Sequence, residues 1–306
     1  MQAYVPSAGA IAFLVFVVSG LYVHFRGKVR HRPLRQLSDH STFMAPVNCL
    51  IYLFSKLPAR PFHPVATFPE LSLLAENWEK IRDEALALDE RKQIVATVGH
   101  EDAGFNSFFR TGWRRFYLKW YGNDLVSARK LCPYTFSLLD QIPSVKAAMF
   151  ASLPPGAKLV AHRDPYAGSM RYHLGLAVPE DPRCAIYVDG EKYFWRNGEG
   201  VIFDETYIHY AENATDQRRI VLFCDVRRPL WFAPVRWVEA LFARVVMGAA
   251  VSRNTEEDRI GFINKLFSRL YKVREVGKAI KRRSRFVYYT LKYLILGSLL
   301  YWIFFS

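Results

Sequence analysis

Two apolar segments, one near each end of the chain, are each joined to a strip of basic residues, and together they limit what the rest of the sequence can be. The first runs from Ala8 to Val23. Extended from Tyr4 to Phe25 it counts 22 residues, enough at ~1.5 Å per residue to cross a hydrocarbon layer of ~30 Å. No Arg or Lys precedes it, whereas Arg26, Lys28, Arg30, Arg32 and Arg35 follow. A cleaved signal peptide has its charges in the opposite order, so the pattern predicts an uncleaved anchor. The second segment, Phe286 to Phe305, has 20 residues and one lysine, Lys292, close enough to the basic end for its amine to reach headgroups. Tyr288, Tyr289, Tyr293, Tyr301 and Trp302 suit interfacial positions. If positive charge stays inside, both flanks predict residues 26–285 in the cytoplasm and both termini on the far side.

The same strips settle what the net charge of +14 means. Residues 26–35 and 265–285 carry 13 of those charges, leaving the folded part nearly neutral. A nucleic-acid binder would spread its basic residues over the domain, so no nucleic-acid partner is expected. Cys49, Cys132, Cys184 and Cys224 form no closely spaced pair, which argues against a disulfide framework or a cysteine zinc site.

Between the anchors, a short apolar run (Val47–Phe54) and a proline-rich connector lead to Leu71, Leu74, Trp78, Ile81, Ala85 and Leu88, whose spacing predicts a helix over about 70–91. From Ala148 to about residue 228 the texture changes. Short apolar runs alternate with turn signals such as PPG, DPYAG, PEDP and NGEG, which predicts an antiparallel sandwich or barrel. Residues 229–250 mix Trp231, Phe232, Trp237 and Phe242 with Arg236 and Arg244. That fits either a helix at a lipid interface or a core helix with tryptophan as filler.

His162 and Asp164 are two residues apart and share one face if the backbone is extended; His209 follows 47 residues later at a predicted strand end. Two imidazoles and one carboxylate can occupy one face of a ferrous ion and leave positions open, although a zinc hydrolase, or simply two satisfied histidines and a surface aspartate, fits the spacing too. Arg171 and His173 alternate on another predicted strand. Arg219 falls on the apolar row with Val221 and Phe223, while Arg218 points the other way. An arginine on an apolar face needs an anion: a dicarboxylate held bidentately, or an internal partner such as Asp204 or Asp225.

The stretches HRDPYAGSMRYHLGLAVP, GVIFDETYIHYAENATDQRR and IVLFCDVRRP, between Pro155 and Pro229, resemble the aspartyl/asparaginyl β-hydroxylase family. With its terminal anchors the chain is similar to that family's bacterial lipid A hydroxylase branch. The resemblance implies a mainly-β fold, a double-stranded β-helix or jelly roll spanning about 148–228, with flanking helices and two terminal transmembrane helices. It implies Fe(II) on His162, Asp164 and His209, 2-oxoglutarate held with the help of Arg171, His173 and Arg219, and O2 as a second cosubstrate. Peptide-modifying relatives can lack an acid where Asp164 stands, so its presence points away from that branch. The implied domains are an anchor (1–25), a basic flank and connector (26–69), a dioxygenase domain (70–230), an amphipathic and basic helical region (231–285) and a second anchor (286–306). The implied activity is hydroxylation at C2 of a secondary acyl chain of lipid A, with 2-oxoglutarate converted to succinate. The setting is a bacterial inner membrane, with the catalytic domain cytoplasmic and both termini periplasmic. A hydroxylase of a peptide or another membrane lipid, or a non-enzymatic jelly-roll sensor, are the competing readings. Ser152, Tyr166, Gly168, Gly175 and Trp195 are weaker candidates for lining the site.

Overall fold

The computed structural model describes residues 7–97 and 100–305; Tyr4 and Pro6, expected in the first anchor, lie outside them. Helix α1 (Ala8–Phe25) begins where the Ser7 hydroxyl accepts the Ala10 amide at 3.2 Å. Three short helices follow, α2 (Pro33–Leu37), α3 (His40–Phe43) and α4 (Ala45–Leu53), then strand β1 (Phe62–His63). The helix expected over 70–91 is split into α5 (Ser72–Glu76) and α6 (Trp78–Glu90). The break falls at Asn77, whose side chain donates to the Leu73 carbonyl at 2.8 Å and so competes with the helical ladder. In α6 the buried residues are Ile81, Ala85 and Leu88, the stripe that the spacing predicts.

Next come β2 (Arg114–Trp120), β3 (Asn123–Asp124), α7 (Val126–Leu131) and α8 (Pro133–Asp140). The strand-rich region holds β4 (Val145–Leu153), β5 (Ser169–Ala177), β6 (Cys184–Val188), β7 (Glu191–Phe194), β8 (Gly200–Phe203), β9 (His209–Asn213) and β10 (Arg219–Arg227). Beyond it are α9 (Ala233–Phe242), α10 (Phe262–Arg283) and α11 (Arg285–Phe305). One antiparallel sheet has the order β1-β8-β5-β10-β4-β2-β3 and a second the order β7-β6-β9. The central strands β4, β5 and β10 are buried along almost their whole length. Covered on both faces, they read as continuous apolar runs without the alternation of a half-exposed strand.

The expectation of a mainly-β jelly roll with two transmembrane helices is corrected by this architecture. The chain is mixed, 46% helical and 21% strand, and its sheets are open and uncurled. The large sheet ends in the two-residue strands β1 and β3, so its edges stop short. The strand texture of 148–228 was a sound local signal, but the helices on either side outweigh it in the whole chain.

The two-span topology is corrected as well. Among the described residues only α1 is long and apolar enough to cross a membrane, with mean hydropathy 2.0. The expected second span does form helix α11, but Lys292 and the tyrosines at 288, 289 and 293 load its first half with polar groups. One candidate span does not support a placement of both termini in the periplasm around a cytoplasmic domain.

The end of α1 is plugged into the β-rich part of the chain. Arg26 donates to Asp204 and to Thr206, each at 2.6 Å, and its guanidinium lies between the rings of Tyr52 and Tyr207 at 4.0 and 4.1 Å. Arg228 pairs with the same carboxylate at 2.9 Å. Asp204 is fully buried, so removing it strands two guanidinium groups in the interior. Asp204→Ala is expected to cost about 3–5 kcal/mol, measured by denaturant unfolding in detergent; a cost below about 1 kcal/mol would show that this cluster does not hold the junction.

Candidate metal centre

The backbone brings the three predicted ligands together through β9. His162 and His209 exchange backbone hydrogen bonds of 3.0 and 2.8 Å, and the Asp164 amide donates to the Glu205 carbonyl at 2.9 Å. Residues 158–164 are extended but touch β9 only through isolated bridges at Lys158 and His162, where the sequence suggested a full strand. The ligand atoms of His162, Asp164 and His209 all lie within 4.8 Å of one another. Nε2 of His162 is 3.4 Å from an Asp164 oxygen, and the two imidazole centroids are 4.2 Å apart.

The tautomers follow from the acceptors. His162 Nδ1–H donates to the Val160 carbonyl at 2.8 Å and His209 Nδ1–H to the Tyr207 carbonyl at 3.0 Å. A carbonyl only accepts, so each Nδ1 carries the proton and each Nε2 keeps a lone pair for a metal. Burial, with the neighbouring His162, pulls His209 down to about 3, so it is a neutral donor at physiological pH.

Arg171 sits behind the carboxylate ligand. Its Nη2 donates to Asp164 at 2.7 Å and also contacts Glu205, while Nε donates to Asp225 at 2.9 Å. Three buried carboxylates thus share one guanidinium. Burial works against ionising Asp164, yet Arg171 and the flanking histidines prevail and hold it well below the usual carboxylate range. For Glu205, burial together with Asp225 and Asp164 outweighs Arg171 and raises it well above that range; Asp225 is raised too, mainly by burial. The cluster thus favours the charged form of Asp164 toward the metal position over that of its two neighbours. Ser169 and Tyr121 complete the outer shell, donating to Glu205 at 2.6 Å and to Asp225 at 2.9 Å. Glu205, Ser169 and Tyr121 are additions of the structure to the residues that the sequence singles out.

Arg171, grouped with His173 and Arg219 at the sequence level, thus has its Nε and Nη2 committed to carboxylates. The other two stay open. His173 is buried with neither ring nitrogen hydrogen-bonded, and burial with Arg219 and Arg171 holds it well below the ordinary imidazole value. Arg219 is 2% exposed, lies 4.5 Å from the Trp195 ring, and its Nε has no partner; burial pulls it down to about 10. The internal partners considered for it are taken, Asp204 by Arg26 and Arg228, and Asp225 by Arg171. Arg218 pairs with Asp89 on the opposite face, as alternation requires. All six predicted site residues, His162, Asp164, Arg171, His173, His209 and Arg219, line one narrow cavity of about 40 Å³, with Phe105, Phe108 and Trp113 on its wall. Among the weaker candidates, Trp195 backs Arg219, whereas Tyr166 points away and donates to Glu239 at 2.7 Å. A Cβ on Gly175 would sit 2.0 Å from the Arg196 carbonyl, so this glycine is required by close backbone approach.

Replacing Arg171 with Met is expected to weaken Fe(II) or Co(II) binding by about 10–100-fold, because the group orienting the carboxylate ligand is lost; anaerobic calorimetry with an unchanged affinity would refute that role. In the metal-free protein, unfolded His209 takes a proton near its ordinary ~6.5 and the folded one only near 3, so between those values the unfolded chain binds more protons. Its contribution to stability is therefore present above about pH 6.5 and declines as pH falls toward 3. Imidazole NMR should show His209 neutral at pH 5, and a protonated ring there would contradict the burial argument.

The profile of the aspartyl/asparaginyl beta-hydroxylase family matches residues 75–229, a stretch that contains all six residues predicted for the site. An ornithine lipid ester-linked acyl 2-hydroxylase of Rhizobium tropici is 34% identical over 209 residues, covering 68% of this chain and 74% of that protein. Human aspartyl/asparaginyl beta-hydroxylase is 29% identical over 162 residues, which is 51% of this chain and 21% of the human protein. A solved prolyl-4-hydroxylase of Pseudomonas putida shares 16% identity at a TM-score of 0.36, covering 61% of this chain and 100% of that one. With half of its length inside the family profile and most of the bacterial relative covered, the chain belongs to the aspartyl/asparaginyl beta-hydroxylase family.

Proposed function

We propose that the protein is an Fe(II)- and 2-oxoglutarate-dependent hydroxylase that places one oxygen atom on C2 of an ester-linked acyl chain of a membrane lipid, with lipid A as the specific substrate. The observation that carries this reading is the pairing, in one cavity, of the His162, Asp164 and His209 ligand cluster with Arg219, which has no carboxylate partner among the described residues. The donor set suits a ferrous ion: two neutral imidazoles and one ionised carboxylate on one side, with no fourth protein ligand in the cluster. Arg219 would take the distal carboxylate of 2-oxoglutarate, and the unsatisfied nitrogens of His173 offer a second hydrogen-bonding group on the same wall. When bound, iron and 2-oxoglutarate supply oxidative hydroxylation of an unactivated C–H bond, yielding succinate and carbon dioxide.

The chain's own part is positional. Backbone carbonyls set the histidine tautomers, Arg171 keeps Asp164 ionised and aimed, and Phe105, Phe108 and Trp113 exclude water. The Phe108 ring, 4.7 Å from His162, closes one side of the cavity. An acyl chain as substrate is supported by the named activity of the Rhizobium tropici relative. Residues 70–230 would form the catalytic unit and residues 1–25 its anchor.

Mass spectrometry of lipids from cells expressing the wild type should show lipid A heavier by one oxygen, with the oxygen on an ester-linked chain. Asp164→Ala should abolish the addition. Oxygen on ornithine lipid alone would replace the substrate but keep the chemistry, and no oxygenated lipid of either kind would overturn the reading. Arg219→Met should raise the KM for 2-oxoglutarate by about 10–100-fold, the value of one lost charged hydrogen bond; an unaltered KM would remove Arg219 from the cosubstrate site.

A further inference from the structure

We infer that the outer face built by the last turns of α1 with α3, α4 and α9 lies in the surface of an anionic lipid bilayer, so that the metal-ligand segment is held one helix layer above the lipid. The first argument is length. Helix α1 has 18 residues and so spans ~27 Å, slightly less than a hydrocarbon layer of ~30 Å. A helix of that length has no turn to spare outside the lipid. Yet α3 and α4 pack against its second half: the Thr42 methyl is 3.7 Å from the Gly20 Cβ position, Cys49 Sγ is 3.7 Å from the Ser19 carbonyl, and the rings of Tyr22 and Tyr52 are 6.1 Å apart. Residues 19–22 stand about 5–9 Å along the helix from Phe25. Whatever packs there shares the depth of the lipid boundary when α1 crosses.

The second argument is the chemistry of the surface presented at that depth. Phe43 on α3 and Leu53 on α4 point outward, Leu53 with 69% of its surface exposed. The face continues without a gap, because Phe54 stacks against Phe232 and Trp231 at 4.9 Å each and the Trp231 amide donates to the Phe54 carbonyl. Helix α9 extends it with Trp237, 79% exposed, and Leu241. Its buried residues Val235 and Glu239 face the protein, so Trp237 and Leu241 lie on the opposite, exposed side. A soluble surface does not gather aromatic and branched side chains in this way without a partner. Exposed Arg30 and Arg32 follow α1 directly, and Arg244 follows α9, which suits anionic headgroups at the rim.

The consequence for the metal centre is a short mechanical path. Arg35 on α2 donates to the Ala161 carbonyl at 2.7 Å, His40 Nε2–H on α3 to the Arg163 carbonyl at 2.6 Å, and Asn48 on α4 to the Pro165 carbonyl at 2.9 Å. These three bonds bracket His162 and Asp164. Two of the three come from α3 and α4, elements of the proposed lipid face, and the third from α2, which links α1 to α3.

The test reads depth and is independent of the hydroxylase assignment. Full-length protein is placed in nanodiscs of phosphatidylcholine and phosphatidylglycerol, with single nitroxides at Leu53→Cys, Leu241→Cys and, as a reference far from α1 in the sequence, Arg196→Cys, all in a Cys49→Ala background. The ratio of oxygen to nickel-chelate collisions should be several-fold higher at 53 and 241 than at 196. Equal ratios at all three sites would overturn the proposal, as would protection from both reagents at 53 and 241, the signature of a covering protein such as a second copy. Protein with its native cysteines provides an arm without labels: lipids brominated near the headgroup should quench tryptophan fluorescence, and Trp231→Phe/Trp237→Phe should remove most of that quenching. Unchanged quenching in the double variant would equally refute the inference.

Discussion

Arg171 is the charge on which the interior of this protein is organised. One guanidinium, buried and in contact with Asp164, Glu205 and Asp225, gathers carboxylates from three separate parts of the chain. Asp164 comes from the extended segment before β5, Glu205 from the turn before β9, and Asp225 from β10. Desolvating those acids would be prohibitive without the cation, and desolvating the cation would be prohibitive without the acids. Arg171 and the histidines hold the metal-facing carboxylate below the usual range, while burial and the neighbouring acids raise the other two. The cluster is both a clasp between segments and a device that fixes the charge state of the ligand.

A second ionic cluster works at the junction with α1. Asp204 adjoins Glu205 in sequence but serves the other side of the turn, where Arg26 and Arg228 meet it. The residues 204–209 therefore carry, within six positions, the partner of the apolar helix, an acid of the metal cluster and a metal ligand candidate. Arg26 at the end of α1 is thus tied through Asp204 to the turn that leads to His209, in which the Tyr207 amide also donates to the Asp204 carbonyl at 3.1 Å.

Much of the centre was legible in the sequence because the relevant signals are local. Two-residue spacing placed Arg219 on the inner row of β10 and Arg218 outside, where Asp89 meets it. The three ligand candidates come together as their types and spacing suggested. What periodicity does not carry is which charged groups on one face pair with each other. Arg171 and Arg219 look alike on their strands, and only the packing of the turn at Glu205 against β5 and β10 commits one to carboxylates and leaves the other open. Global architecture failed for a related reason: strand texture was read over the quarter of the chain where it is strong, while β2 was hidden by the charges of RRFYLKW and the helices on both flanks went underweighted. The tryptophans at 231 and 237 are not core filler, whereas Phe242 is, stacked on Tyr166 at 5.3 Å.

Both imidazoles of the centre are oriented by the carbonyl of the residue two positions earlier in the chain. A main-chain acceptor has no side chain that a substitution can delete. Replacing Val160 or Tyr207 alters bulk but leaves the carbonyl in place, so no single change outside the histidines themselves strips either ring of its orienting bond while the local backbone holds. The walls of the cavity and the lipid-side helices are accordingly free to diverge toward new substrates without disturbing proton placement on the ligands, and the mutable part of this site is its periphery.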